Sequence, residues 1–238
     1  ALEAMLAETS GHKLVVTDGV FSMDGDVAPL AELARVCRAH DALLVVDDAH
    51  GIGVLGPEGR GSVAELGLSE EDVPVLIGTL GKAVGTSGAF VAGPPMLMDY
   101  LVQKARTYIY TTAMPPAIAM ATISSLDLIE RDQGRRDHVM GLVSRFRREA
   151  SAMGYELMSS RTPIQPIMSG DNYGALALSR ALEKRGLLVS AIRPPTVPVG
   201  EARLRVTFSA AHSQEDLDCL LGGLSECRHL LQKTDVAI

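Results

Sequence analysis

Five apolar residues in a row, Ala42-Leu43-Leu44-Val45-Val46, run straight into Asp47-Asp48-Ala49-His50-Gly51. An unbroken apolar run suits a parallel strand buried on both faces of its sheet. Such a strand needs helices on either side, so this run points to an α/β fold. The flanking pattern agrees. His12 to Val16 reads as a short strand that breaks at Thr17-Asp18-Gly19. A helix is predicted from Ala28 to His40, where Leu30, Leu33, Ala34 and Cys37 fall on one face. Further strands are expected at Val75 to Gly78 and Ala89 to Ala92, followed by mostly helical chain from Pro94 to Arg148. Pro115-Pro116 marks a helix start, where proline is tolerated.

The character changes after Gly154. Strands are expected at Gln165 to Ser169, Leu187 to Ala191 and Leu204 to Phe208, with helices at Tyr173 to Arg185 and Gln214 to Lys233. Ser213 followed by Asp216 has the form of a capping box. A chain of 238 residues holds one or two domains. The pattern divides it into a larger α/β part at 1–140 and a smaller α+β part at 141–238, with the junction between Arg136 and Ser151.

Hydrophobic residues make up 47% and charged residues 21%, which argues against disorder. No apolar run reaches the roughly 18 residues of a membrane span. A net charge of −7 without a Lys/Arg block argues against a nucleic-acid surface. Cys37, Cys219 and Cys227 lack the spacing of a zinc site or a disulfide framework, and fit a reducing cytoplasm. Ala1 lacks an initiator Met and the first residues already read as a helix entering a strand, so the chain reads as part of something longer.

Two features could carry chemistry. Lys82 lies in Gly78-Thr79-Leu80-Gly81-Lys82-Ala83-Val84-Gly85-Thr86-Ser87-Gly88, directly after an apolar strand. A phosphate-binding P-loop is excluded, because Leu76 stands where its first Gly should be and Ala83 follows the lysine. A lysine in a tight, partly desolvated loop is a candidate for a Schiff base, since burial frees the neutral amine. A solvated loop lysine is the alternative. The second feature is Asp47 to His50, at the carboxyl end of a strand, where open α/β sheets bind ligands. A carboxylate there could keep a pyridine nitrogen protonated. It could instead cap the next turn, or pair with His50 on a metal, although no third ligand lies nearby. An acid at one strand end and a glycine-framed lysine after the next strand meet the needs of pyridoxal phosphate (PLP).

The motifs VVDDAHG, GRGS (Gly59 to Ser62) and GTLGKAVG resemble the α-oxoamine synthases, fold-type I PLP enzymes. DGVFSMDGD (Asp18 to Asp26), YTTAMPP (Tyr110 to Pro116) and SAAH (Ser209 to His212) fit the same family. The stretch IRPPTVP (Ile192 to Pro198), with Ile164-Gln165-Pro166 and Gly170-Asp171-Asn172, is similar to its biotin-biosynthesis branch. The resemblance implies a mostly parallel sheet from the C-terminal part of the large PLP-binding domain, then a small α+β domain. It implies condensation of L-alanine with a pimeloyl thioester, on coenzyme A or acyl carrier protein, with loss of carbon dioxide. The alternatives are another synthase of the family, such as a 2-amino-3-ketobutyrate ligase, a PLP aminotransferase or lyase, and a degenerate non-catalytic subunit.

Roles follow from the same resemblance. Lys82 would hold PLP and move the alanine Cα proton, Asp47 would pair with the pyridine nitrogen, and His50 would contact the phenolic oxygen. Ser22 would touch the cofactor and Thr79 its phosphate. Thr111 and Thr112 would reach the phosphate of a neighbouring subunit, which implies a homodimer with a shared site. Thr196 would contact substrate. Arg205 is the candidate clamp for the alanine carboxylate, with Arg203 two residues away on the same strand face left open. Asp48 would support the turn. Family members carry a long portion before the segment matching Ala1, including a group that stacks on the pyridine ring, so this chain alone is expected to be inactive.

Overall fold

The computed structural model describes residues 1–231. The chain forms two compact units. The first holds Ala1–Phe21 and Val27–Gln133, and the second holds Ser22–Asp26 and the chain from Gly134 on.

The first unit contains α1 (Leu2–Glu8), β1 (Lys13–Asp18), α2 (Leu30–Ala39), β2 (Ala42–Asp47), α3 (Ser62–Glu65), β3 (Val75–Thr79), β4 (Ala89–Ala92), α4 (Pro95–Lys104), α5 (Arg106–Ile109) and α6 (Pro116–Arg131). Its sheet has the order β1-β2-β3-β4. The first two pairings are parallel and β4 joins antiparallel at the edge, so the expected mostly parallel sheet is present. α2 packs on it through Leu30, Ala34, Val36 and Cys37, which share a core with Val15, Leu44 and Val46. Pro29 stands at the N-cap of α2, so the helix starts two residues later than the periodicity predicts. Leu14 and Val16 are both 62% exposed while Val15 is buried. β1 therefore buries one face only, unlike the central residues Leu44 to Val46 of β2.

After α7 (Gln133–Ala152), the second unit adds β5 (Ile164–Gly170), α8 (Asn172–Glu183), β6 (Ser190–Ile192), β7 (Ala202–Thr207) and α9 (Gln214–Cys227). Its three strands are antiparallel in the order β5-β7-β6. Phe146, Ile167, Leu178, Leu182, Leu204 and Leu224 fill the core against them. β6 begins later than predicted. Gly186 takes a φ of 79° and the Leu187 amide donates back to Leu182 O, closing the end of α8 before the chain can extend. The capping box of Ser213 and Asp216 is present at α9. α9 ends at Cys227 and a 3₁₀ turn follows over Arg228–Leu231; Lys233, the expected helix end, lies outside the described residues. No helix among the described residues is long and apolar enough to cross a membrane.

Candidate functional site

Parallel registration brings Asp18, Asp47 and Ile77 side by side at the carboxyl ends of β1, β2 and β3. The Gly19 amide donates to Asp47 O at 2.7 Å and the Asp48 amide to Ile77 O at 2.8 Å, so the ladder continues past the formal strand ends. The two strands that carry the chemistry-bearing loops are thus locked at the point where those loops leave. Asp47 Oδ1 accepts the Ala49 amide at 3.1 Å, which is the turn-capping role that the sequence also allows. Its remaining oxygen leaves capacity for a ligand.

Lys82 Nζ lies 3.0 Å from His50 Nε2; which of the two donates depends on the imidazole tautomer. The loop that carries the lysine is closed by Leu80 N to Gly88 O and Thr86 N to Leu80 O, and Gly85 N caps onto Lys82 O. α6 buttresses it. Ser125 Oγ donates to Val84 O at 2.7 Å, and the hydroxyls of Thr86 and Thr122 meet at 2.9 Å. Val84 anchors the loop in the interior while Lys82 itself is exposed. The tight loop expected from the glycines is there, and in this chain Lys82 stands exposed on it. Thr79 Oγ1 donates to Gly88 O and accepts from the Gly81 amide, so its hydroxyl belongs to the same loop.

Asp18 belongs to this cluster, and sequence reasoning misses it. Burial raises its pKa above the ordinary value, the neighbouring Asp47 charge raises it further, and Lys82 opposes both. Its signal in the sequence is weak, because only the parallel register tells that the Asp ending β1 stands beside the Asp ending β2. Asp48 points the other way, into the interior, fully buried. Its pKa is raised to about 6 by burial first, with Ser62 opposing and Asp47 adding to the rise.

Thr111 and Thr112 follow α5 and are exposed; the Thr111 hydroxyl donates to Thr107 O. Ser22, Thr196 and Arg205 belong to the second unit. Thr196 is exposed in the turn after β6, with its amide on Arg193 O.

The two arginines of β7 differ in burial and in their partners. Arg203 is 1% exposed and its guanidinium bonds to Asp24, to Glu201 through both its carbonyl and carboxylate, and to Met158 Sδ. Arg205 gives Nε to Ser22 O at 2.7 Å and Nη1 to Thr207, and among the described residues its Nη2 makes no hydrogen bond. Burial lowers its pKa. Of the two, Arg205 is the less buried and has both N–H groups of its Nη2 left for a ligand. No cluster of His, Cys, Asp or Glu among the described residues could hold a metal ion.

Residues 1–224 match the family model for aminotransferase class I and II. An 8-amino-7-oxononanoate synthase of Marinobacter nauticus is 75% identical over 233 residues, covering 98% of this chain and 59% of that relative. A solved 8-amino-7-oxononanoate synthase from Francisella tularensis superposes with a TM-score of 0.81 at 30% identity, over 94% of this chain and 65% of that one. A high-resolution structure of SPT with PLP gives a TM-score of 0.91 at 31% identity, over 97% of this chain and 58% of that one. The chain thus spans about three fifths of the length of the curated relatives it matches.

Proposed function

Because the chain belongs to the class I and II aminotransferase family, we propose that it is the PLP-binding and substrate-binding part of an 8-amino-7-oxononanoate synthase. The reaction joins L-alanine to a pimeloyl thioester, forms the Cα–carbonyl bond, and releases the thiol and carbon dioxide. The observation that carries the reading is the meeting of Lys82 and His50 at 3.0 Å beside Asp47, at the carboxyl end of the sheet. An amine, an imidazole and a carboxylate are the donor set that PLP requires, and all three fit it here.

When bound, PLP supplies an electron sink for the carbanion at the amino acid Cα. The rest falls to the chain. Asp47 keeps a proton on the pyridine nitrogen. The Lys82 amine would hold the cofactor covalently and, once the amine of alanine displaces it, would be free to take the Cα proton and return one later. His50, within hydrogen-bond distance of that amine, orients it and can give a proton to the developing keto oxygen. Thr79 offers its hydroxyl to the phosphate once it turns from Gly88 O. Ser22 as a cofactor contact, Thr196 as a substrate contact and Arg205 as the carboxylate clamp are parts of the same reading. So are a cytoplasmic homodimer in which Thr111 and Thr112 reach the neighbour's phosphate, and a pimeloyl group carried on coenzyme A or acyl carrier protein.

The test is to add PLP, reduce with borohydride and locate the added mass by peptide mass spectrometry. Modification at Lys82, absent in Lys82→Ala, is the expected result. Modification elsewhere sinks the reading. A second reading, the same kind of condensation with serine or glycine, rests on the backbone likeness to SPT. In the full-length enzyme, thioester-dependent carbon dioxide release with alanine and not with serine or glycine separates the two.

A further inference from the structure

We propose that Asp48 is the positioning residue of this site: its buried carboxylate clamps the His50 turn to the Gly59–Ser62 segment and so sets the place of His50 beside Lys82. The proposal rests on the reading of His50 and Lys82 above, and it gives a task to the GRGS motif, which the proposed chemistry leaves without one.

Three stretches of chain converge on this one carboxyl group. The Ser62 amide donates to Asp48 Oδ2 at 2.7 Å. The Asp48 carbonyl accepts the amides of Gly51 and Ile52, both at 3.0 Å, which folds the turn carrying His50. A methyl group on Gly51 or Gly61 would collide with the carboxylate, and one on Gly19 would collide with both the carboxylate and Ser62 Oγ. Glycine is required at all three places for close approach, and Gly61 also takes a φ of 93°. The GRGS segment is then laced to the turn from the other side. Ile52 and Arg60 form a β-bridge, Gly53 N donates to Gly59 O at 2.7 Å, and Gly61 N donates to Leu55 O at 2.8 Å.

Asp48 therefore ties together what the chain separates by fourteen residues. Its amide is fixed to β3, the strand that delivers Lys82. Its carbonyl is fixed to the turn that delivers His50. Burial of a carboxylate with one oxygen, Oδ1, lacking a hydrogen-bond partner is unfavourable, and a residue serving only packing would be better replaced by an apolar one. Retaining the charge here is what a positioning role demands.

The experiment is residue-resolved amide exchange and imidazole nitrogen NMR on the whole chain, without cofactor. In the wild type, the Ser62 amide should exchange far more slowly than that of exposed Glu70. Asp48→Asn should speed exchange at Ser62 and across 49–53 by about tenfold or more, and shift the His50 ring signals, with the amides of β7 unchanged. Ser62→Pro removes the donor itself at a first helical position that tolerates proline, and should speed exchange across 49–53 and shift the His50 ring signals in the same way. Arg60→Ala is the control and should move none of these. Unchanged His50 signals in a folded Asp48→Asn overturn the proposal, as does an unprotected Ser62 amide in the wild type. Collapse of the first unit in both variants overturns it too, since the carboxylate would then determine the fold instead of the loop. PLP capture at Lys82 is read separately, so loss of the functional reading is told apart from loss of the clamp.

Discussion

Asp48 in the first unit and Arg203 in the second are both buried ionisable groups, 0% and 1% exposed, and they are treated in opposite ways. Arg203 is well provided for. It has two carboxylates, a carbonyl and a sulfur around it, and those carboxylates, Asp24 and Glu201, remain in contact with water. Among the described residues no cation pairs with Asp48, one of its oxygens lacks a hydrogen bond, and its pKa is raised to about 6. A buried charge with satisfied partners is a structural bolt. One kept under strain is retained for what it positions.

The comparison can be broken at its strong end first. Arg203→Ala should cost about 3 kcal/mol, because it removes charge-assisted hydrogen bonds and leaves a cavity where a fully buried side chain packed; denaturant unfolding followed by the second unit's signals would read this. A loss under about 1 kcal/mol would mean that the satisfied group is not a bolt. Asp48 should behave differently, through pH. Its folded pKa of about 6 lies above the unfolded value of 3.8. The folded state therefore binds the proton more readily, and this group's stabilisation is full below pH 3.8 and lost as pH rises through about 6. The difference is about 3 kcal/mol. Asp48→Asn should flatten that dependence, measured by amide exchange of Ala42–Asp47 between about pH 4 and pH 7.5. An unchanged slope would assign it to another group.

Smaller effects sharpen the contrast. Ser160→Ala should cost about 1–3 kcal/mol in the second unit, since its hydroxyl is buried between Gly25 O and Ile164 O. Ser213→Ala removes an exposed cap and should cost about 1 kcal/mol, which sets the scale of an ordinary surface contact. Thermal unfolding of both variants ranks them, and a Ser213 effect as large as that of Ser160 would remove the distinction between buried and exposed polar groups.

Much of the architecture is legible in the chain because its signals are local. The run Ala42–Val46, the Pro115-Pro116 start of α6 and the Ser213 box each need only neighbouring residues. So do the candidates Lys82, Asp47 and His50, which sit at the ends of short apolar runs. What stays hidden depends on partners distant in sequence. Spacing alone does not tell Arg203 from Arg205, which share a strand face; their difference comes from Asp24 and Ser22, far back in the chain. Asp18 is visible as a site residue only once β1 and β2 are in register. The exposure of Lys82 depends on tertiary packing around the loop, which glycine content does not encode.

The segment Ser22–Asp26 has a consequence for taking this molecule apart. It belongs to the second unit, held by Asp24 on Arg203, by Gly25 O under the hydroxyls of Ser160 and Thr162, and by Ser22 O under Arg205. The modules as they pack are therefore not the modules as a gene could be cut. A polypeptide beginning at Gly134 would hold every strand of the second sheet yet miss the short segment that satisfies its buried polar groups. Such a half should recover its full stability only when a synthetic peptide spanning 20–28 is returned to it in trans.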